Sequence, residues 1–281
     1  MKKPQFHYGT SSWSEKGWVG PFYPPGTRPS DFLRVYAEQF GTVEADVTYY
    51  RIPDAKLVRG WADKTPANFR LSAKFPRSIV HAGEGRTPDG SRLLLHSYVG
   101  KDVDRFLIAM AHMGERCGPL VVQLPYLNKA AFAKAEDFLE RLHGFLERLP
   151  ADFRYAVEVR NKNWLTPALT DLLREQRAAL VLSEHSFLPH PVDLAQHIDV
   201  MTTDFTYVRL IGDRKATEAK TKTFDSLVLD MSASLQKWAQ FLRPAIARGT
   251  ETFAYANNHY AGHGPATIRE LAELVASDST T

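Results

Sequence analysis

The sequence predicts an α/β chain forming a single (β/α)₈ barrel. Three observations carry that prediction. Eight short apolar runs bounded by turn residues read as strands, and nearly all of them are separated by helical patterns. No Gly-rich dinucleotide fingerprint follows the first strand, which removes the main support for an open doubly wound sheet. Length agrees: 281 residues, 44% hydrophobic and 24% charged, suit a globular chain that buries about three quarters of its unfolded surface.

Taken in order, Phe6 to Trp13 is the first strand, and a Trp-, Gly- and Pro-rich loop from Gly17 to Pro29 leads to a helix from Ser30 to Phe40. Thr42 to Tyr50 is the second strand, with Val43, Ala45, Val47 and Tyr49 on one face and Thr42, Glu44, Asp46 and Thr48 on the other. A helix from Asp54 to Asp63 precedes the third strand, Phe69 to Pro76, which turns Arg70, Ser72 and Lys74 to one side. An irregular stretch from Pro76 to Gly100 carries Arg77, His81, Arg86, Arg92 and His96, and a loop of that length is usually functional or disordered.

A helix from Lys101 to Met113 leads to the fourth strand, Pro119 to Pro125, apolar except for Gln123. The helix Ala130 to Leu149 precedes the fifth, whose stretch RYAVEVRNKNW, Arg154 to Trp164, puts Ala156, Glu158 and Arg160 on one face. The helix Thr166 to Gln176, the strands Ala178 to Glu184 and Tyr207 to Gly212, the basic loop from Asp213 to Ser232 and the helix Ser234 to Ala247 follow. Thr252 to Tyr260 is the eighth strand and Pro265 to Ala276 the last helix. The domain therefore runs over 1–276, with long loops after strands one, three and seven, and 277–281 is expected to be a frayed tail.

In such a barrel alternate side chains face the lumen, and the site lies at the strands' C-terminal ends. Glu44, Asp46, Lys74, Gln123, Glu158, Arg160, Arg209 and Asn257 are expected there. Glu44 and Lys74 come from adjacent strands, within reach of one another. A structural ion-pair plug that fixes strand register is one reading. The other is a pocket in which Lys74, Arg160 and Arg209 hold an anion, since arginine grips phosphate or carboxylate as a planar fork. Trp13, Trp18, Tyr23, Tyr50 and Trp164 are expected at the mouth, where a base or sugar ring could stack. The segment Asn257 to Pro265 adds a phosphate-binding reading at the start of the last helix.

Metal is weakly signalled. HExxH, paired-cysteine and calcium-loop motifs are absent, leaving Glu44, Asp46, Glu158, Glu184, His185, His81 and His259 as scattered candidates; no residue is assigned to a metal and the cofactor is unknown. No GxSxG occurs, and a Schiff-base role for Lys74 conflicts with a nearby carboxylate that would raise its pKa. The net charge of +3 does not by itself argue for nucleic acid. One cysteine, no apolar leader and no membrane-length run point to a cytoplasmic chain without a membrane partner.

The segments GTSSWSEKGWVGPFYPPG, YAEQFGTVEADVTYY, FRLSAKFPRSIVH, VVQLP, YAVEVRNKNW, YVRLIG and YANNHYAG resemble, in order and spacing, the motifs of the YecE-like family, a bacterial and archaeal group without an established reaction. The resemblance covers nearly the whole chain and implies a TIM-type barrel. It also implies polar motif positions at Glu44, Lys74, His81, Gln123, Glu158, Arg160, Arg209, Asn257 and Asn258. The sequence departs from the pattern at Ser12 for glycine, Asp46 for asparagine, Val80 for threonine and Tyr126 for proline.

Together these features favour an enzyme acting on an anionic small molecule, phosphorylated or carboxylated. Glu44, Glu158 and Lys74 are the expected catalytic groups. Arg160, Arg209, Gln123, Asn257, Asn258, His81, Trp13, Tyr50 and Trp164 are expected to bind the substrate. A nucleic-acid-binding or phosphodiester-processing barrel is the alternative, with the loops after Pro76 and Asp213 tracking phosphates, and a non-catalytic binding protein is the third.

Overall fold

The structure is a computed structural model that describes residues 6–83 and 86–277. Of the expected tail, 277–281, Ser277 is hydrogen-bonded to the Glu273 carbonyl and 278–281 lie outside the described residues. Eight strands are present: β1 (Phe6–Thr10), β2 (Thr42–Ala45), β3 (Arg70–Lys74), β4 (Cys117–Gln123), β5 (Tyr155–Glu158), β6 (Ala178–His185), β7 (Phe205–Gly212) and β8 (Glu251–Ala256). They lie in the order β1-β8-β7-β6-β5-β4-β3-β2, with parallel pairing. The helices between them are α1 (Phe32–Ala37), α2 (Ala55–Asp63), α3 (Arg77–Val80), α4 (His96–Ala111), α5 (Ala135–Leu146), α6 (Pro167–Glu175), α7 (Pro191–Leu194), α8 (Arg214–Glu218), α9 (Ser232–Ala247), α10 (Asn258–Ala261) and α11 (Gly264–Ala276). The chain is a TIM-type (β/α)₈ barrel.

Two compact units divide the described residues, 6–44, 182–197 and 204–277 forming the first and 45–83, 86–181 and 198–203 the second. In the first, β7, β8 and β1 pair in register, with Arg209 beside Tyr255 and Thr10 beside Ala256. Helices α9 and α11 bury Trp238, Leu242, Ile268 and Leu271. Tyr36 of α1 ties β1 to β2: its hydroxyl accepts from the Thr10 N–H at 2.8 Å and donates to the Thr42 carbonyl at 3.1 Å. Gly9 faces the same seam, where a side chain would collide with that carbonyl.

The second unit carries β3, β4 and β5, packed on Phe75, Phe106 and Phe145. After Ala45 the chain leaves the strand and tightens into a 3₁₀ turn, Asp46–Tyr49. Thr48 explains the change: its hydroxyl accepts from the Lys74 N–H at 3.0 Å and lies 2.8 Å from the Lys74 carbonyl and 3.0 Å from that of Ala45. One side chain thus takes over the ladder bonds that a longer strand would have made. No helix of the described residues is long and apolar enough to cross a membrane.

Candidate active site

In the first unit, alternation along β7 puts Tyr207 and Arg209 on one face, and both reach Glu44. The Tyr207 hydroxyl donates to Oε2 at 2.7 Å and Arg209 Nη2 donates to Oε1 at 2.9 Å. Glu44 and Arg209 are 0% and 1% exposed, so their charges face one another where solvent screens little. Burial raises the Tyr207 pKa well above the ordinary range, with the Glu44 charge adding to it, so the phenol stays a donor. Tyr255 completes this layer, its hydroxyl 2.7 Å from that of Thr42. The expected contacts omitted both tyrosines, although their two-residue spacing from Arg209 and Asn257 would have placed them.

The second unit gathers its polar side chains where the strands end. Lys74 pairs with Asp46 of the 3₁₀ turn. Glu158, at the end of β5, is fully buried and accepts from Arg160 Nε at 3.0 Å, while the Arg160 side chain stays 25% exposed. Gln123 lies beside Glu158 in register. Arg77 and Arg160 both act electrostatically on the Tyr49 hydroxyl, against a burial effect that raises its pKa. His81, just past α3, accepts the Gly83 N–H on Nδ1 at 3.2 Å. Burial, followed by the Arg77 charge, lowers its pKa and favours the neutral imidazole. The loop after β4 is clamped by Asn161, whose amide accepts from Leu127 N at 2.9 Å and donates to Leu127 O at 2.7 Å.

Several expected mouth residues lie elsewhere. Trp18 and Tyr23 are core, 1% and 0% exposed, the indole donating to Asn258 Oδ1 and the Tyr23 ring stacked on Phe32. Trp164 stacks on Phe138 of α5 at 4.6 Å, an outer packing position. The Trp13 carbonyl accepts from the Tyr23 hydroxyl. Tyr50 is largely exposed, at 76%.

The start of α11 offers no free donor for a phosphate. Gly264 N donates to Asn258 Oδ1, Pro265 has no N–H, Ala266 N donates to the His263 ring and Thr267 N to the His263 carbonyl. Asn257 caps α10 by accepting from His259 N at 3.0 Å. These bonds make the segment a self-contained helix start rather than an anion cradle. In the loop after β7, Arg214 and Lys222 both pair with Glu218, which leaves less free positive charge there than the sequence implied.

One further carboxylate was named only as a scattered ligand candidate. Glu184, at the end of β6, accepts from Ser234 at 2.8 Å, Trp238 at 2.6 Å and Tyr260 at 2.7 Å, with His190 3.6 Å away. Burial alone would raise its pKa, but those partners outweigh it and hold the carboxyl below the ordinary range. Its acceptor sites are filled, so it ties α7, α9 and α10 to β6. Among the described residues, no three of His, Cys, Asp and Glu converge as a metal site would require. Burial pushes the Cys117 thiol up to about 12, which leaves it un-ionised near neutrality.

The comparisons agree with this architecture. Residues 7–281 match the family described as "Protein of unknown function DUF72". UPF0759 protein YecE of Escherichia coli K12 is 32% identical over 155 residues, 55% of this chain and 48% of the relative, so the chain spans about half the length of that relative. UPF0759 protein YunF of Bacillus subtilis is 21% identical over 96% of this chain and 94% of its own length. A DUF72 crystal structure from Thermotoga maritima superposes with a TM-score of 0.69 at 21% identity, covering 97% of this chain and 100% of that one. One from Enterococcus faecalis gives 0.69 at 19%, covering 99% and 100%. The chain belongs to the DUF72 family.

Proposed function

We propose that the chain is an enzyme acting on an anionic small molecule, a carboxylate or phosphate, bound where β3, β4 and β5 end in the second unit. One observation carries the reading. Arg160 is held through Nε on the buried Glu158, while its two Nη groups make no hydrogen bond among the described residues and the side chain remains a quarter exposed. A guanidinium anchored by one edge and open at the other presents a preoriented fork, which matches a planar carboxylate or a phosphate face. Arg77, three residues past β3, adds a second cation among the segments that follow these strands.

Glu158 then serves as general base. It lies 3.0 Å from Arg160 Nε, and its place at a strand's C-terminal end is where barrel chemistry is assembled. Lys74, paired with Asp46, acts electrostatically, and Gln123 orients the substrate beside Glu158. Glu44 and Arg209 stand outside this reading: their buried mutual pairing supports the first unit's lumen.

Calorimetric titration with inorganic phosphate and with citrate tests it. Arg160→Ala should weaken whichever anion binds by about ten- to a hundredfold, the range of a charge-assisted hydrogen bond. Unchanged affinity in that variant would end the proposal.

A further inference from the structure

The helix layer of the second unit holds a cavity of about 760 Å³ whose lining includes none of Lys74, Gln123, Glu158 and Arg160. Its walls are the first turn of α4 with the loop before it, the segment Ala131 to Ala133, and one face of α5. A second cavity, of about 400 Å³, meets the first at His96 and Arg148. It is mainly apolar, built from Val103, Leu107 and Ile108 of α4 with Phe145, Leu149 and Phe153. The two make one groove with a charged half and an apolar half.

The α5 wall is spaced to leave room. Asp137, Arg141, Gly144 and Arg148 recur at intervals of four, three and four residues, the stripe of one helix face, and all four line the larger cavity. Gly144 lies inside α5, where glycine is less favourable than alanine, yet a Cβ built on it meets nothing within 4 Å. Among the described residues no neighbour requires the missing side chain, so what its absence provides is space in the cavity.

Arg141 borders that space in a fixed position. Its Nη1 donates to the Gly90 carbonyl at 3.2 Å and the Leu93 carbonyl at 3.0 Å, and its guanidinium carbon lies 5.6 Å from the centre of the Phe132 ring. Arg141 Nε and Nη2, and the whole Arg148 guanidinium, make no hydrogen bond or ion pair among the described residues. Asp137 and Glu140 precede Arg141 on the helix, on the side away from Arg148.

We infer that this groove binds one molecule of an amphiphilic anion, an alkyl carboxylate or alkyl phosphate, at a second site separate from the anion site proposed at the strand ends. The head group takes Arg148 and the open edge of Arg141 above Gly144, and the chain lies in the apolar half. A guanidinium fork suits either oxyanion, and the apolar walls add affinity with the area they cover. Asp104, the one acid lining the apolar half, repels a negative charge there, so the uncharged end enters.

The test is calorimetric titration of the full chain with hexanoate and decanoate below their micelle concentrations, and with decyltrimethylammonium as the cation of matched chain. Decanoate should bind more tightly than hexanoate by about three- to fourfold for each added methylene, the effect of burying one CH₂. Arg148→Glu, and Gly144→Leu, which puts a side chain into the larger cavity, should each weaken decanoate about tenfold or more. Arg148 is exposed and Gly144 faces open space, so both variants fold, and thermal midpoints no lower than that of the unaltered chain check it. Arg160→Ala should leave decanoate affinity unchanged. Loss of decanoate binding in that variant would assign the ligand to the strand ends and overturn the inference. So would absence of decanoate binding, no gain with chain length, equal binding of the cation, or an affinity untouched by both groove variants. A concentration-dependent dimer that Gly144→Leu dissociates in sedimentation would give this face to a second copy and overturn it as well.

Discussion

Glu44→Gln isolates charge from shape in the first unit. Glutamine keeps the volume and can still accept from the Tyr207 hydroxyl, but it removes the negative charge 2.9 Å from Arg209 Nη2. Arg209 is 1% exposed and cannot turn to water for compensation. Breaking one side of a buried ion pair costs about 3–5 kcal/mol, because the surviving charge keeps its desolvation penalty without its partner. For a chain of this size that lowers the thermal midpoint by about 10 °C. Urea and thermal unfolding at pH 7 measure it. The double variant Glu44→Leu with Arg209→Met should be less destabilised than the two single replacements added together, since it removes both charges. A loss below about 1 kcal/mol for Glu44→Gln, or simple additivity in the double variant, would show that the two charges are not coupled as a buried ion pair.

Three more outcomes follow from particular contacts. Glu184 has a folded-state pKa below its ordinary value of 4.5, so its contribution is fully present above that pH and is lost as pH falls through the lower folded value. Glu184→Gln should lower stability at pH 7 and flatten the acid limb of urea midpoints measured from pH 7 to 3. Trp164→Ala removes the ring stacked on Phe138 and should cost about 3–5 kcal/mol in chemical unfolding while leaving anion affinity unchanged, contrary to a binding role at the mouth. Thr48→Val leaves the Lys74 N–H without its acceptor and should cost about 1–3 kcal/mol. It should also weaken anion binding in the same titration, because the turn it holds carries Asp46 and Tyr49.

The alternation that assigns strands ends later in the sequence than in the structure wherever a side chain replaces a ladder bond. TVEADVTYY reads as a strand to Tyr50, yet β2 stops at Ala45 because the Thr48 hydroxyl meets the Lys74 backbone first. The same happens in TFAYANNHY, where Asn257 caps α10 and ends β8 at Ala256. The helix expected from Ala130 starts at Ala135, since the Asn128 side chain accepts from Ala130 and Ala131 and holds a turn there. Gly100 marked the end of an irregular stretch in the sequence, but it lies inside α4, where its missing side chain makes room for the His96 ring. Strand identity survived these errors because burial of one face against helices is a whole-element property. Element ends depend on single hydroxyls and amides.

The sequence assigns a face to each polar side chain but does not choose its partner. Alternation assigned Glu44, Lys74, Glu158 and Arg209 each to one side of its strand, because the strand period is fixed by the backbone, and all four are buried. Pair choice depends on depth and on the chain leaving the strand. Glu44 engages Arg209, distant in sequence, and Lys74 engages Asp46, which the 3₁₀ turn brings round. The aromatics divide by their polar ends. Trp18 donates its indole N–H to Asn258, and Tyr23 donates its hydroxyl to the Trp13 carbonyl, so each can bury its ring without stranding a donor. The Tyr50 hydroxyl makes no hydrogen bond among the described residues, and water satisfies it at the cost of exposing the ring. Whether a tyrosine is buried with its hydroxyl bonded or left at the surface with only an edge contact to Tyr49 is a distinction that residue type alone cannot make.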